Sequence, residues 1–442
     1  MISIIKRALT VVTAGLLLFS LAACSGSGGS SSAVSPGSSG SSDNSTVDSE
    51  KPEKDEVFES VLNTIKTYPT ITDTSYYDFS GLGEFKLGAY FWYGFSYTGD
   101  HYTDRLLQEF SDREPVWGWT NSTVENMEQQ IAYATAAGIA YFAFDWYNAN
   151  SMAQSNSCVD NFLASSNNKK MEFCLNVCNH EGAYVTVDNW EYAAETWLKY
   201  MREDNYLKVD NKPVLMFFSS YYLQYYLGGA DGCQKAFDWL EAEAKKLGYD
   251  GVLIIGSECP YGSPGTRDID FNEANYNEVL WKNLVDQRRQ QGFAALTGYN
   301  YRRYSPLTLS DGSKTYNAGY ELLAKDHETC WDRFSDQKMP YVPCVLGGWD
   351  CRPWETNWSG NATGYQSCYA ADRTPKMLYN HILNAAKWLD KNKDCSVGNL
   401  AVLYAWNETC EGGYISPTKG DDGRLLGAVR QAIMKINGSV EE

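Results

Sequence analysis

The segment Leu403-Tyr404-Ala405-Trp406-Asn407-Glu408-Thr409-Cys410-Glu411-Gly412-Gly413 reads as an apolar strand running into a turn, with two carboxylates three residues apart and paired glycines behind them. Carboxylates beside Trp, Tyr and Val are costly, because desolvation disfavours the charged form. A buried pair therefore raises at least one pKa and keeps one acid protonated near neutrality. A general acid/base pair needs that division of labour. Two solvated loop acids after a core strand would spell the same letters, so the surrounding chain has to decide between the readings.

Working back from this strand, seven further apolar runs precede it: Lys86–Trp92, Ile139–Asp145, Glu172–Val177, Pro213–Phe218, Val252–Ile255, Phe293–Gly298 and Tyr341–Leu346. Amphipathic stretches lie between them, among them Thr123–Ala137, Trp190–Met201, Cys233–Leu247, Asn272–Gln290 and Pro375–Asp390. With Leu400–Trp406 as the last, eight strand–helix units predict an α/β fold, a (β/α)8 TIM barrel. No Pro- or Ser-rich break interrupts the chain from about Asp73 to Ile436, and one domain over 56–442 is expected.

In such a barrel the active site lies where the strands end at their C-terminal face. The residues following the runs are Tyr93, Asp145 with Trp146 and Tyr147, Asn179 with His180 and Glu181, Ser219 and Ser220, Glu258, Tyr299 with Tyr301, Trp349 with Asp350 and Arg352, then Glu408 and Glu411. Each alone could be a satisfied loop residue; their joint position after strands is the signal.

Composition agrees. The chain holds 14 Trp and 32 Tyr, and planar rings beside carboxylates and amides suit sugars, whose C–H faces stack while their hydroxyls find acceptors. Core packing accounts for many of these rings. The net charge of −18 repels nucleic acid and anionic lipid and favours neutral substrates. Cys24 apart, eleven of the 12 cysteines remain, an odd number. Cys174 and Cys178 stand roughly 13 Å apart along one predicted strand and cannot bridge there. With four His and neither a C-x-x-C nor an H-E-x-x-H stretch, no metal site and no cofactor are expected.

The first 23 residues form a secretory signal, with Lys6 and Arg7 ahead of an apolar core from Leu9 to Leu21. Leu21-Ala22-Ala23-Cys24 resembles a bacterial lipobox, which implies lipidation of Cys24, anchoring to the membrane and a cell-surface location. Residues 24–55 are Ser/Gly-rich and then acidic, the composition of a flexible tether. Glu53–Tyr68 has helical spacing.

Val116-Trp117-Gly118-Trp119, Gly138-Ile139 leading to Phe144-Asp145-Trp146-Tyr147, Lys212-Pro213-Val214-Leu215, Gly348-Trp349-Asp350 and Trp406-Asn407-Glu408-Thr409-Cys410-Glu411-Gly412 follow one another collinearly. In that order they resemble the blocks of the glycoside hydrolase family 99-like, or WbsX-like, proteins. The resemblance implies a (β/α)8 enzyme acting on glycosidic bonds, endo-acting on α-mannoside-like or related glycans. It also implies that Glu408 assists the substrate's own 2-hydroxyl in displacing the leaving group, while Glu411 serves as general acid and then base. Trp117, Trp406 and Asn407 join the candidate substrate contacts on the same ground. Thr409 stands where the branch of known activity commonly has an aromatic residue, and Cys351-Arg352-Pro353-Trp354 replaces its more usual Asn, Thr and Arg.

Three functions stay open at this point: a surface glycoside hydrolase, a sugar-binding lipoprotein without chemistry, and a glycosyltransferase. An oligosaccharide or polysaccharide is the expected partner, and a monomer the expected state.

Overall fold

The computed structural model describes residues 54–73, 76–93, 101–120, 123–148, 156–180, 182–258, 277–355 and 367–438. Cys24, the signal segment, the Ser/Gly-rich stretch and Glu181 lie outside the described residues.

Eight parallel strands form the core: β1 (Lys86–Phe91), β2 (Tyr141–Trp146), β3 (Glu172–Val177), β4 (Lys212–Phe217), β5 (Leu253–Ser257), β6 (Ala295–Thr297), β7 (Cys344–Leu346) and β8 (Leu400–Tyr404). They pair in chain order from β1 to β6, β7 pairs with β8, and β8 pairs with β1. The remaining seam closes at Leu296 and Tyr341, where the Leu296 N–H donates to the Pro340 carbonyl and the Val342 N–H to the Leu296 carbonyl, each at 2.9 Å. The sheet closes on itself as a (β/α)8 barrel. Every run expected from the sequence is a strand, with differences confined to strand ends.

These runs are apolar along their length because helices cover the outer face while side chains fill the inner one. All six residues of β2 are buried. Gly88 in β1 makes this packing possible beside it. A Cβ there would meet the Tyr141 ring at 2.2 Å, and that ring crosses β1 to donate its hydroxyl to the Ala401 carbonyl of β8 at 2.9 Å.

The principal helices are α1 (Lys54–Lys66), α2 (Val124–Ala136), α3 (Trp190–Met201), α4 (Ala230–Lys246), α5 (Glu278–Gln291), α6 (Tyr320–Asp336), α7 (Pro375–Lys391) and α8 (Arg424–Ile436). Side-chain caps begin several of them: Thr123 accepts from the Asn126 N–H, Asn277 from Val279 and Leu280, and Thr374 from Met377 with Pro375 at the first helical position. Helix α1 lays Val61 and Ile65 into the core, in agreement with its helical spacing. The ten described cysteines are buried and unbridged, Cys174 and Cys178 among them.

Candidate active site

The acidic turn is a hairpin seated on the end of β8. Asn407–Glu408 pairs antiparallel with Gly413–Tyr414, and the Gly412 N–H donates to the Thr409 carbonyl at 3.2 Å, closing a β-turn that carries Glu411. Gly412 has φ +73°, and a Cβ there would stand 2.6 Å from the backbone nitrogen of Asp350, so both its conformation and its surroundings demand glycine.

Asn407, Arg113 and Arg373 hold this hairpin to the barrel, Arg373 donating to the Gly412 (3.3 Å) and Tyr414 (2.8 Å) carbonyls and to that of Gly347 after β7. Asn407 accepts from the Trp92 N–H at 2.9 Å and donates to the Trp92 carbonyl at 2.8 Å, extending the β8–β1 pairing by one amide side chain. Arg113, buried, donates to the carbonyls of Asp350 (2.9 Å) and Thr409 (3.0 Å) and pairs with the Asp350 carboxylate. The backbone N–H of Asp350 in turn donates to the Glu411 carbonyl at 2.7 Å.

Three carboxyls meet above the barrel. Glu408 is 3% exposed, and Glu411 is half-buried. The Tyr299 hydroxyl, from the end of β6, lies 2.7 Å from Glu408 Oε1 and 2.9 Å from Asp145 Oδ2. Asp145 Oδ1 accepts from Asn176 Nδ2 at 2.7 Å; the two residues are register partners on β2 and β3 and so project from the same face. On the other side the Tyr404 hydroxyl donates to Glu411 Oε2. A phenol has one proton, so Tyr299 serves one carboxylate as donor, and its second contact is filled when a protonated carboxyl donates back to the phenol oxygen. The geometry is that of a shared proton.

Electrostatics favour the same arrangement. Burial, then the charges of Glu411 and Asp145, hold the Glu408 pKa well above the usual carboxylate range, against the opposing hydrogen bond from Tyr299. Burial pushes Asp145 up to about 7, although Asn176, Tyr299 and Cys178 pull the other way. Glu408 Oε2 is buried without a hydrogen-bond partner. Carboxylate oxygens of Glu408 and Glu411 and a ring nitrogen of His101 all lie within 4.8 Å of one another.

A wall of rings frames the carboxyls. Tyr93 meets Tyr147 edge-on at 4.8 Å, Tyr147 meets His180 at 5.7 Å, His180 meets Phe218 at 5.5 Å, and Phe218 meets Tyr299 at 5.0 Å. These five stand after β1, β2, β3, β4 and β6. Strand-end reasoning named four of them and missed Phe218, which it counted as strand.

Trp146, Trp406, Glu258 and Tyr301 are engaged away from the carboxyls. Trp146 packs on Trp197 of α3 at 5.7 Å. Trp406 is fully buried, stacks on Trp117 at 6.4 Å and donates its indole N–H to Gln130 of α2 at 2.9 Å. Along a strand successive side chains alternate faces, which sends Trp146 into the helix layer beside inward-facing Asp145, whereas Trp406 lies beyond the end of β8 and packs there against α2. Glu258 is buried in a two-point ion pair with Arg288 of α5. Tyr301 is buried, its hydroxyl against that of Tyr341. Trp349, Asp350 and Arg352 line a cavity of about 580 Å³ whose lining includes Gly412 but neither catalytic candidate, and the Trp349 ring lies 6.2 Å from that of Tyr404, the donor to Glu411. There Arg352 pairs with Asp350 at 2.6 Å, opposite Arg113, so this carboxylate is neutralised from both sides.

The family model described as Glycosyltransferase WbsX matches residues 118–429. A solved structure described as a glycoside hydrolase-like protein superposes with TM-score 0.51 at 15% identity, covering 86% of this chain and 99% of its own. At that identity the likeness speaks for the fold. The GH99 endo-alpha-mannosidase from Bacteroides thetaiotaomicron is similar at 12% identity and TM-score 0.47, covering 74% of this chain and 84% of its own. A second structure of that enzyme, with bis-tris propane, gives TM-score 0.49 at 12% identity, over 80% and 97%. No curated protein sequence matches the chain.

Proposed function

The chain belongs to the family described as Glycosyltransferase WbsX, and from that membership and the site geometry we propose that it is a glycoside hydrolase acting with retention on neutral glycans. The observation that carries the proposal is the pair Glu408 and Glu411 on one hairpin, with carboxylate oxygens within 4.8 Å. A pair this close leaves no room for the water that inverting enzymes seat between carboxyls about 6.5–9.5 Å apart. Because the attacking group is the substrate's own 2-hydroxyl and not a carboxylate, retention here follows from two successive displacements at the anomeric carbon.

The roles follow from proton bookkeeping over Asp145, Glu408 and Glu411. Burial and mutual repulsion keep the cluster from ionising fully near neutrality, and its proton belongs to the group rather than to one residue. In the reactive arrangement the proton is on Glu411, which gives it to the departing glycosidic oxygen. Glu408 is then the carboxylate that Tyr299 stabilises, free to accept the proton of the substrate's 2-hydroxyl as that oxygen attacks the anomeric carbon. In the second half-reaction water attacks the anomeric carbon and gives its proton to Glu411, the bond from that carbon to the 2-oxygen breaks, and Glu408 returns its proton to the 2-oxygen, which restores both acids. The rings of Tyr93, Tyr147, His180, Phe218 and Tyr299 offer edges and faces for the sugar's C–H groups.

The family's description also names glycosyl transfer. A nucleotide-sugar donor would bring phosphates against three clustered acids, an arrangement that repels them. A neutral glycan meets no such penalty. An endo-acting attack on α-mannoside-like or related glycans is the narrower form of the reading, supported by the Asn407-Glu408-x-x-Glu411-Gly412 pattern.

Incubation with a glycan panel, followed by product analysis, tests this function. Shortened glycans with the anomeric configuration kept are expected; binding without turnover, or transfer only from a nucleotide sugar, would overturn it. The proposal extends to location: a lipid on Cys24 would hold the enzyme on the cell surface. Cys24→Ser should then move it from the membrane fraction to the soluble one, and a wild type already soluble after signal removal would refute the anchor.

A further inference from the structure

We propose that His101, Glu408 and Glu411 form a binding site for one divalent d-block cation of the Zn²⁺ class, and that the bound ion switches the catalytic pair off. The binding stands on geometry alone; the inhibition rests on the hydrolase reading.

The three donors come from two parts of the chain that only the closed barrel unites. His101 precedes the short helix Asp104–Glu109 in the connection that follows β1, while the two acids sit on the hairpin after β8. Their ligand atoms already lie within 4.8 Å of one another. Around a tetrahedral ion with bonds of about 2.0–2.2 Å the donors stand about 3.4 Å apart, so each has to move by less than about 1 Å. Small side-chain rotations supply that.

A second observation points to a ligand here. Glu408 is 3% exposed, and its Oε2 has no hydrogen-bond partner while Oε1 is engaged by Tyr299. A buried carboxylate oxygen left unpaired is destabilising, and a cation beside it removes that penalty.

The surroundings have the character of an outer shell that orients metal ligands. Tyr299 donates to Glu408, Tyr404 donates to Glu411, and the Trp92 ring packs against His101 at 4.6 Å. One imidazole with two carboxylates selects Zn²⁺, Co²⁺ or Mn²⁺ over the oxygen-only preferences of Ca²⁺ and Mg²⁺. No thiol belongs to the set, although Cys410 stands between the two acids in sequence. An ion held on both carboxylates prevents either from giving or accepting a proton, so turnover stops while the barrel is unchanged.

The test uses the metal-stripped full chain, titrated with Zn²⁺ by calorimetry and with Co²⁺ by visible absorption. One ion per chain is expected, with a Co²⁺ spectrum free of thiolate charge-transfer bands. His101→Ala and Glu408→Gln should each weaken binding by about tenfold or more, and Cys410→Ser should leave it intact. Zn²⁺ should inhibit wild type competitively with glycan, and His101→Ala should lose that sensitivity relative to its own metal-free rate. Unchanged binding in both folded ligand variants, a thiolate spectrum, or no uptake would overturn the site. A chain that binds the ion but cleaves no glycan would fail the hydrolase reading alone; a glycan-cleaving chain that binds no ion would fail this one alone.

Discussion

The hydroxyl of Tyr299 stands 2.7 Å from Oε1 of Glu408, and it is the same hydroxyl that reaches Asp145 at 2.9 Å. Burial beside these carboxylates raises the phenol's own pKa well above its ordinary value, so Tyr299 remains a donor across the working range. It joins the acid expected to act on the sugar to a second acid deeper in the barrel mouth.

Removing that donor should harm the ionised form of Glu408. The Tyr299 hydrogen bond lowers the Glu408 pKa, so Tyr299→Phe should raise it further and move the acid limb of the pH–rate profile to higher pH. A hydrogen bond to a charged group contributes about 1.5–3 kcal/mol, which corresponds to a loss of about 10- to 100-fold in kcat. An unshifted profile with full activity would show that Glu408 does not depend on the phenol.

Asp145 should act in the opposite direction. Its charge raises the Glu408 pKa, so Asp145→Asn should move the acid limb to lower pH. Stability should change as well. Folded Asp145 titrates at about 7, above its unfolded value near about 4, so the folded chain keeps a proton that the unfolded chain releases. Its contribution to stability is full below about pH 4 and is lost as pH rises towards about 7, by up to about 4 kcal/mol. Urea denaturation across this window should find a flatter pH dependence in Asp145→Asn than in wild type.

Glu258 is a test of structure against chemistry. Its carboxylate is committed to buried Arg288, so Glu258→Gln should destabilise the fold by about 3–5 kcal/mol, measured by denaturation. The folded fraction should keep its KM. A raised KM at unchanged stability would return Glu258 to the substrate contacts expected from its position after β5.

Tyr147 tests the ring wall. Tyr147→Ala should raise KM, with a loss of about 0.5–1.5 kcal/mol for each stacked contact removed. Glycan binding unchanged by calorimetry would assign the Tyr93–Tyr147–His180 series to packing alone.

Much of this architecture is legible in the chain, and the exceptions have physical causes. The eight strands can be read because both faces of a parallel barrel strand are buried, and the glycine-closed turn can be read because Gly412 answers a backbone demand. That same two-sided burial hides the phase of each strand. Asp145 and Trp146 are adjacent, yet one faces the carboxyls and the other α3, and an apolar run does not record which is which. Asn176 escaped because it lies within β3 and not after it, and Tyr404 because it lies within β8. Arg113 and His101 belong to no spacing pattern; their partners are hundreds of residues away in sequence and meet them only through the β8–β1 closure. Arg288, likewise, reveals the role of Glu258 only once α5 is docked.

The proposed chemistry divides its roles between two acids, Glu411 delivering the proton to the leaving group and Glu408 working through the substrate's 2-hydroxyl. It is tested most directly by comparing kcat/KM of Glu411→Gln on a natural glycan and on an aryl glycoside with an activated leaving group. Glu411→Gln should lose nearly all activity on the glycan and much less on the aryl glycoside, whose departure needs little protonation, while Glu408→Gln should lose both. Equal losses of Glu411→Gln on the two substrates, or a sugar found covalently attached to either glutamate, would contradict it.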